Sequence, residues 1–524
     1  MSAKLTNKSW LPTPILMTAT LMAIMIIRVL WFYFSPDSEL ITIIPDDAFY
    51  YIKLAKQHLR FGFWTFDGIT MATGFHLFYG YLLLGIFNFF PAIGWRELFL
   101  IISIFALILI SIAGFLTAKS AEALFGRKFA PIAVLPFLMP ISYIQTTMMM
   151  ESWLVVFFSS LTLFLCLSKN KMSFFTFLLL VIVGIFGSLS RTDYGLFPGV
   201  LFLSYYFTSG KRDNLTLRSG LLLLGAILGL CISLTHNLLL SGHISQASAQ
   251  IKFMWSALNG HSVIPALSLV SSLLIPFSSN IIRISFLIFL ALLAGLSFYL
   301  YHSKEDLIEL SQFKNKSAGT LIGCLATVVG YIIFYRFNSQ GIQPWYISNF
   351  ITPFAITFAG IFFYFSRSIP ALLISLVFGL YTVVGITKIL EPLWPDQAGE
   401  MSAGLYLKSV ASSNYSYGSW NAGIISYFSD RPIINLDGLV NDDVYDAIKT
   451  NNLLNYLQGR NIGYIVDFNE MLLSENFRRR GGYLDSRVSK CIEPLKATNQ
   501  KVPTWLSGRL QIFKVDSNCI SSNK

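Results

Sequence analysis

Two aspartates stand side by side at Asp46-Asp47, directly after Pro45 and at the start of a helical pattern. A carboxylate held at a membrane boundary can take a proton from a hydroxyl group. Capping the helix that follows would occupy one of them, because aspartate is a favoured N-cap. Capping leaves the second unexplained. Further along, acidic, basic and aromatic groups recur at the ends of apolar runs: His76, Glu151, Arg191 and Asp193, then Arg336, Gln343, Trp345 and Tyr346. Singly, each fits an interfacial anchor or an ion-pair partner. Together they gather proton-transfer groups and guanidinium forks on one side of a membrane, and the arginine fork matches phosphate oxygens. An anionic, lipid-linked substrate needs such a set. The sequence has no nucleotide-binding glycine loop, zinc-ligand spacing or hydrolase elbow, so a soluble nucleotide-sugar site has no support.

The elements that must position these groups are mostly membrane helices. Of the 524 residues, 54% are hydrophobic and 12% charged, against roughly 25% charged in soluble domains. Apolar runs occur at 11–34, 76–93, 98–118, 130–148, 152–168, 173–189, 195–209, 219–240, 281–301, 318–335, 346–365 and 369–390. If every run crossed, Lys119, Arg127, Lys128, Lys169 and Lys171 would face outward, against the positive-inside rule. With 76–93 lying in the membrane plane, eleven spans remain and the basic loops share one side: Lys4/Lys8, Lys119/Arg127/Lys128, Lys169/Lys171, Lys211/Arg212/Arg218, Lys304/Lys314/Lys316 and Arg367. This predicts an all-α polytopic protein in the cell's inner (plasma) membrane, with a cytoplasmic N-terminus and a retained signal anchor at 11–34. The net charge of +11 sits mostly in these loops and does not argue for nucleic acid.

In the first external loop, Ala48, Tyr51, Ile52, Ala55 and Leu59 share a helical face opposite Lys53, Lys56, Gln57 and Arg60, a pattern suited to the membrane surface. From about Glu391 the composition changes. Residues 1–390 therefore read as a transmembrane domain and 391–524 as a small external (periplasmic) α/β domain, with strands at Ile433–Leu436, Ile462–Val466 and Gln511–Val515 and a helix at Asp443–Leu457. Asp437-Gly438 reads as a turn. In an oxidising compartment Cys491 and Cys519 are predicted to pair.

The Asp46-Asp47-Ala48-Phe49-Tyr50-Tyr51 start, the Gly74-Phe75-His76 segment, the Leu124–Lys128 basic loop and the Asn435–Asn441 stretch together resemble the GT-C superfamily of membrane glycosyltransferases. Its members include protein O-mannosyltransferases, lipid A aminoarabinose transferases and cell-wall arabinofuranosyltransferases. The resemblance implies inverting sugar transfer from a polyprenyl-phosphate-linked donor in the membrane lipid to a glycan, glycolipid or protein acceptor. It implies Asp46 as general base with Asp47 as its support, Glu151 as an acid near the site, and Arg191 with the Gln343–Tyr346 loop as donor-phosphate contacts. Some members use a divalent cation, and the sequence leaves that open. A transporter would carry inverted repeats and midplane charges, and neither is apparent here. A non-catalytic membrane scaffold with an external binding domain would leave the aspartate pair without a role.

Overall fold

The computed structural model describes residues 13–209, 213–274, 315–365, 379–410 without 381 and 384, 416–495 without 486, and 503–522. Five described helices are long and apolar enough to cross a membrane: Pro14–Phe34, Trp95–Phe125, Asn214–Ser241, Ser317–Gly341 and Pro344–Phe363. Ser152–Leu167 and Phe174–Ser190 are shorter apolar helices. The predicted run at 281–301 and most of 369–390 lie outside the described residues, as do Lys4, Lys8, Lys211, Arg212, Lys304, Lys314 and Arg367.

The helix ends fall into two sets. Glu151, Arg191, Tyr335 and Trp345 meet around one cavity. At the opposite ends, the Ser317 hydroxyl donates to the Leu124 carbonyl at 3.0 Å and Arg218 Nη1 to the Leu165 carbonyl at 2.7 Å. The basic loops at 119–128 and 169–171 adjoin that second set, so in the described residues acid–base groups and basic loops lie at opposite ends of the bundle. Leu77–Phe89, inside the run read as non-crossing, has 13 residues. At 1.5 Å per residue it is about 20 Å long, short of the roughly 30 Å apolar core.

The 130–148 run differs from expectation. It is not an α-helical span but a chain of 3-10 turns at Ala130–Leu138 and Ile144–Thr146 around one α-turn at Pro140–Tyr143. Pro131, Pro136 and Pro140 remove the amide donors that a continuous helix needs. Irregular backbone survives at membrane depth only when protein covers it. Here the Pro14–Phe34, Trp95–Phe125 and Ser348–Phe365 helices pack against it, and nearly every residue of the run is buried.

The C-terminal sheet has five strands in the order β2-β1-β3-β5-β4, with β1 Ser416–Ser419, β2 Ile433–Asn435, β3 Ile462–Phe468, β4 Ile492–Pro494 and β5 Leu510–Val515. β2, β1 and β3 run parallel, while β5 and β4 are antiparallel. Three of these strands were legible as apolar runs. The predicted Asp443–Leu457 helix is two helices, Asp442–Lys449 and Leu453–Gly459, broken where Asn451 turns to φ 53°. Cys491 and Cys519 form a disulfide with Cα atoms 5.4 Å apart.

The sheet domain is docked on the first external loop. The Asp46–Phe61 helix does not present its basic face to lipid headgroups, as its pattern implied. Lys53 is buried and donates to the Ser426 and Arg431 carbonyls at 3.3 and 3.4 Å, and Lys56 donates to the Tyr427 hydroxyl at 3.2 Å. The carbonyls at the end of the Ala422–Ser429 helix need donors, and Lys53 supplies one to Ser426. Thr73 Oγ1 donates to Asp442 Oδ2 at 2.9 Å. Beside it, the backbone of Gly74 lies so close to Leu439 that a Cβ would fall 1.5 Å from its carbonyl oxygen.

Gly74→Ala should therefore loosen the docking by more than about 2 kcal/mol. The expected result is a lower thermal midpoint and faster proteolytic release of the C-terminal domain. Gly85→Ala, where a Cβ meets nothing within 4 Å, is the control and should match the wild type.

Candidate active site

Asp46 and Asp47 open the Asp46–Phe61 helix, and a helix turns about 100° per residue. The two carboxylates therefore diverge. Asp46 Oδ1 accepts the Ile424 N–H at 2.6 Å and Oδ2 the Gly423 N–H at 3.1 Å. It caps the Ala422–Ser429 helix from another part of the chain, meeting the positive end of that helix dipole. A Cβ at Gly423 would lie 2.3 Å from the Asp46 carbonyl oxygen, so only glycine allows the approach. Burial lifts the Asp46 carboxyl to about 7, with the two amides pulling down and Asp47 pushing up.

Tyr50, one turn on, donates to Asp437 Oδ2 at 2.8 Å and accepts from Asn435 Nδ2 at 3.2 Å. Asp437 Oδ1 accepts the Leu439 N–H at 2.6 Å. The Asn435–Asn441 stretch thus braces the first loop as well as forming a turn.

Asp47 lines a cavity of about 360 Å³. The same cavity collects His76, Glu151, Arg191, Asp193, Trp345 and Tyr346 from separate helix ends. Arg191 grips Asp193 through Nε at 3.1 Å and Nη2 at 2.9 Å, and holds Glu151 Oε1 through Nη1 at 2.8 Å. All three side chains are at least nine-tenths buried. Although burial alone raises it, the Asp193 carboxyl is drawn down to about 2 by Arg191 and by the Tyr335 hydroxyl, which donates to Oδ2 at 2.6 Å. His76 Nε2 lies 3.7 Å from Glu151 Oε1. Burial pushes this imidazole down to about 4 despite Glu151, so it is neutral near pH 7.

Lys252 is the cation that sequence reading missed. It comes from the Ala247–Leu258 helix, donates to the Tyr346 hydroxyl at 3.1 Å, and makes no ion pair among the described residues. Tyr346 and Asp47 outweigh the burial that would lower it, so the ammonium stays charged. A signal was present: Lys252 is the only Lys or Arg in 241–280, and were that segment external the positive-inside rule would disfavour a lysine there. Two expected contacts lie elsewhere. Arg336 is exposed, with its guanidinium 5.1 Å from the Phe337 ring and outside the cavity lining. Gln343 lines a neighbouring cavity with Asp46. Among the described residues no group of three or more His, Cys, Asp or Glu side chains could hold a metal ion.

This architecture is similar to solved structures over most of its length. ArnT from Cupriavidus metallidurans, in a crystal structure with undecaprenyl phosphate bound, aligns over 95% of this chain and 97% of its own, with TM-score 0.55 and 12% identity. Its apo form gives 0.54 at 11% identity. The chain has the GT-C glycosyltransferase fold. The Archaeoglobus fulgidus oligosaccharyltransferase, tethered to an acceptor peptide in its crystal, shares that GT-C fold at TM-score 0.54 and 14% identity, over 90% of this chain and 72% of its own. Residues 392–512 match a domain of unknown function, DUF8728. No protein of curated function matches the sequence. The matched 392–512 stretch holds most of the C-terminal sheet.

Burial raises the Asp437 carboxyl to about 8. A folded-state value above the ordinary one, about 4, favours the neutral form in the docked state. Its stabilisation is full at low pH and is lost as pH rises from about 4 toward 8. Asp437→Asn is neutral throughout, so its melting temperature should fall less than the wild type's between pH 5 and pH 8. Parallel profiles would show that Asp437 does not titrate with docking.

Proposed function

We propose that the chain is an integral membrane glycosyltransferase that moves a sugar from a polyprenyl-phosphate-linked donor to an acceptor hydroxyl at the external membrane face, with inversion. One observation carries the reading: Asp47 shares a cavity with Lys252, a lysine whose only hydrogen-bond partner among the described residues is the Tyr346 hydroxyl. In a single displacement the acceptor oxygen bonds to the anomeric carbon as the carbon–oxygen bond to phosphate breaks. The acceptor proton passes to Asp47, and the phosphate leaves with the bonding electrons. Lys252 meets the charge that develops on it, where a fixed cation in a water-poor cavity is most effective. Arg191, already balanced by Glu151 and Asp193, orients the wall and supplies further donors. Undecaprenyl phosphate in the ArnT structure supports the donor class.

The geometry favours exchanging the roles that the family resemblance implied. Both Asp46 oxygens are held by backbone amides at the domain junction, whereas Asp47 opens to the cavity. We assign Asp47 as the general base and Asp46 as the group that fixes its helix. The catalytic part is residues 1–390, and the 391–524 domain stands over it on the external, periplasmic side, with the N-terminus in the cytoplasm.

Asp47→Asn should lower transfer by about 10²–10⁴-fold at normal protein abundance. Asp46→Asn should lose abundance or thermal stability while keeping turnover per folded molecule. The opposite pattern would restore Asp46 as the base. Burial, offset in part by Lys252, also holds the Asp47 carboxyl above the ordinary carboxylate range. Activity should therefore fall, as pH is lowered, at a pH above about 4.

For orientation, cysteine placed at exposed Arg127 should react only with membrane-permeant reagents, and cysteine at exposed Lys449 with impermeant ones in outer-membrane-permeabilised cells. Labelling of position 127 from outside would reverse the topology.

A further inference from the structure

Asp47 borders a second cavity, of about 540 Å³, walled on one side by the C-terminal domain. Three of its lining side chains are more than nine-tenths buried and carry polar atoms with no hydrogen-bond partner among the described residues. They are Glu400 through Oε2, Gln397 through Oε1 and Trp420 through Nε1–H. Folded proteins rarely leave such groups unmatched, since each costs about 1–3 kcal/mol. Several unmatched atoms on one cavity wall mark a place where a ligand completes the pairing. The charges say what kind of ligand. Arg509, the cation among the described lining residues, is engaged by Glu470 at 2.9 Å and Asp396 at 3.1 Å, and burial holds the Glu400 carboxyl well above its ordinary range, so it faces the space as a neutral acid. An anion would find no free counter-charge there. Trp394 and Trp345 add indole faces whose centroids lie 6.3 Å apart. A carboxylic acid, an amide oxygen, one N–H donor and flat apolar faces match a sugar ring, which offers hydroxyls at its edge and C–H groups on its face.

We propose that this cavity is the acceptor site, and that the acceptor is the uncharged, hydroxyl-bearing end of a carbohydrate, gripped by Glu400 and Gln397 and stacked on Trp394. The proposal rests on the transferase reading above and deepens it. The sugar's hydroxyl oxygen bonds to the donor's anomeric carbon, its proton goes to Asp47, and the polyprenyl phosphate departs with the bonding pair. Trp394, Gln397, Glu400 and Trp420 all fall within the matched stretch 392–512, so acceptor recognition becomes the task of that domain.

The test uses the full-length protein in lipid nanodiscs. Saturation-transfer NMR measures binding of neutral tetrasaccharides of glucose, mannose and N-acetylglucosamine, of anionic oligogalacturonate, and of a serine/threonine peptide. Native mass spectrometry measures undecaprenyl phosphate on the same samples. A neutral tetrasaccharide should bind, and Trp394→Ala and Glu400→Ala should each weaken it by about tenfold while leaving undecaprenyl phosphate within about twofold. Trp394 is partly exposed, so its variant stays informative where Glu400→Ala fails to fold. The proposal is overturned by no neutral sugar binding, by binding that both variants retain, or by preference for galacturonate or peptide. Wild-type protein that binds sugar but no undecaprenyl phosphate would instead remove the donor reading on which the acceptor role rests.

Discussion

The N-terminus of the Ala422–Ser429 helix presses on the first turn of the Asp46–Phe61 helix, and the rest of the site is hung from that contact. A helix N-terminus carries unpaired amides and partial positive charge, and Asp46 brings it two acceptor oxygens. Tyr50, one turn along, repeats the arrangement with Asp437 and Asn435. Thr73 and Gly74 close it against Asp442 and Leu439. The contact draws carboxylates out of water. Asp46 is pushed to about 7 and Asp437 to about 8, so their hydrogen bonds offset a desolvation cost that remains substantial. The junction is specific because its geometry is demanding. Two glycines, at 74 and 423, sit where no side chain fits.

Charge inside the cavity follows from what is already paired. Glu151, Arg191 and Asp193 form a buried cluster whose members come from the start of one helix and the end of another. Breaking such a cluster leaves an uncompensated charge and is strongly destabilising, so its first effect is to fix the cavity wall. Tyr335 and Asn349 extend it, with the Asn349 amide donating to the Tyr335 hydroxyl at 2.6 Å. His76 stays neutral beside it. In the proposed reaction the cation left to meet the donor phosphate is therefore not the arginine that looks most suited from sequence but the lysine whose partner is a phenol.

Much of this architecture was legible from pattern. Apolar length marked the helices, the sign of the loop charges marked their ends, and most of the residues suspected of chemistry do converge. What escaped had physical reasons. Prolines in 130–148 turned an apolar run into 3-10 turns that only tertiary packing can sustain. β1, Ser-Tyr-Gly-Ser, has no β-branched residue and becomes a strand because both its neighbours pair with it. The basic face of the Asp46–Phe61 helix is indistinguishable in sequence from a membrane-surface face, and only the docked domain shows that Lys53 serves carbonyls and Lys56 a tyrosine hydroxyl. Lys252 was visible as an exception to a charge rule but carries no motif.

Adjacent acidic residues on a helix cannot share one target, because the helix turns about 100° between them. Sequence similarity locates such a pair without saying which member does which job. Here the answer comes from the partner surface: backbone amides at the junction claim both oxygens of the first, so the second is left to the space between two cavities. The consequence is that docking and the proposed chemistry fall on adjacent residues. The residue that holds the C-terminal domain in place is covalently next to the residue proposed to accept a proton. The domain that walls the second cavity is thus anchored one residue away from the carboxylate at that cavity's boundary.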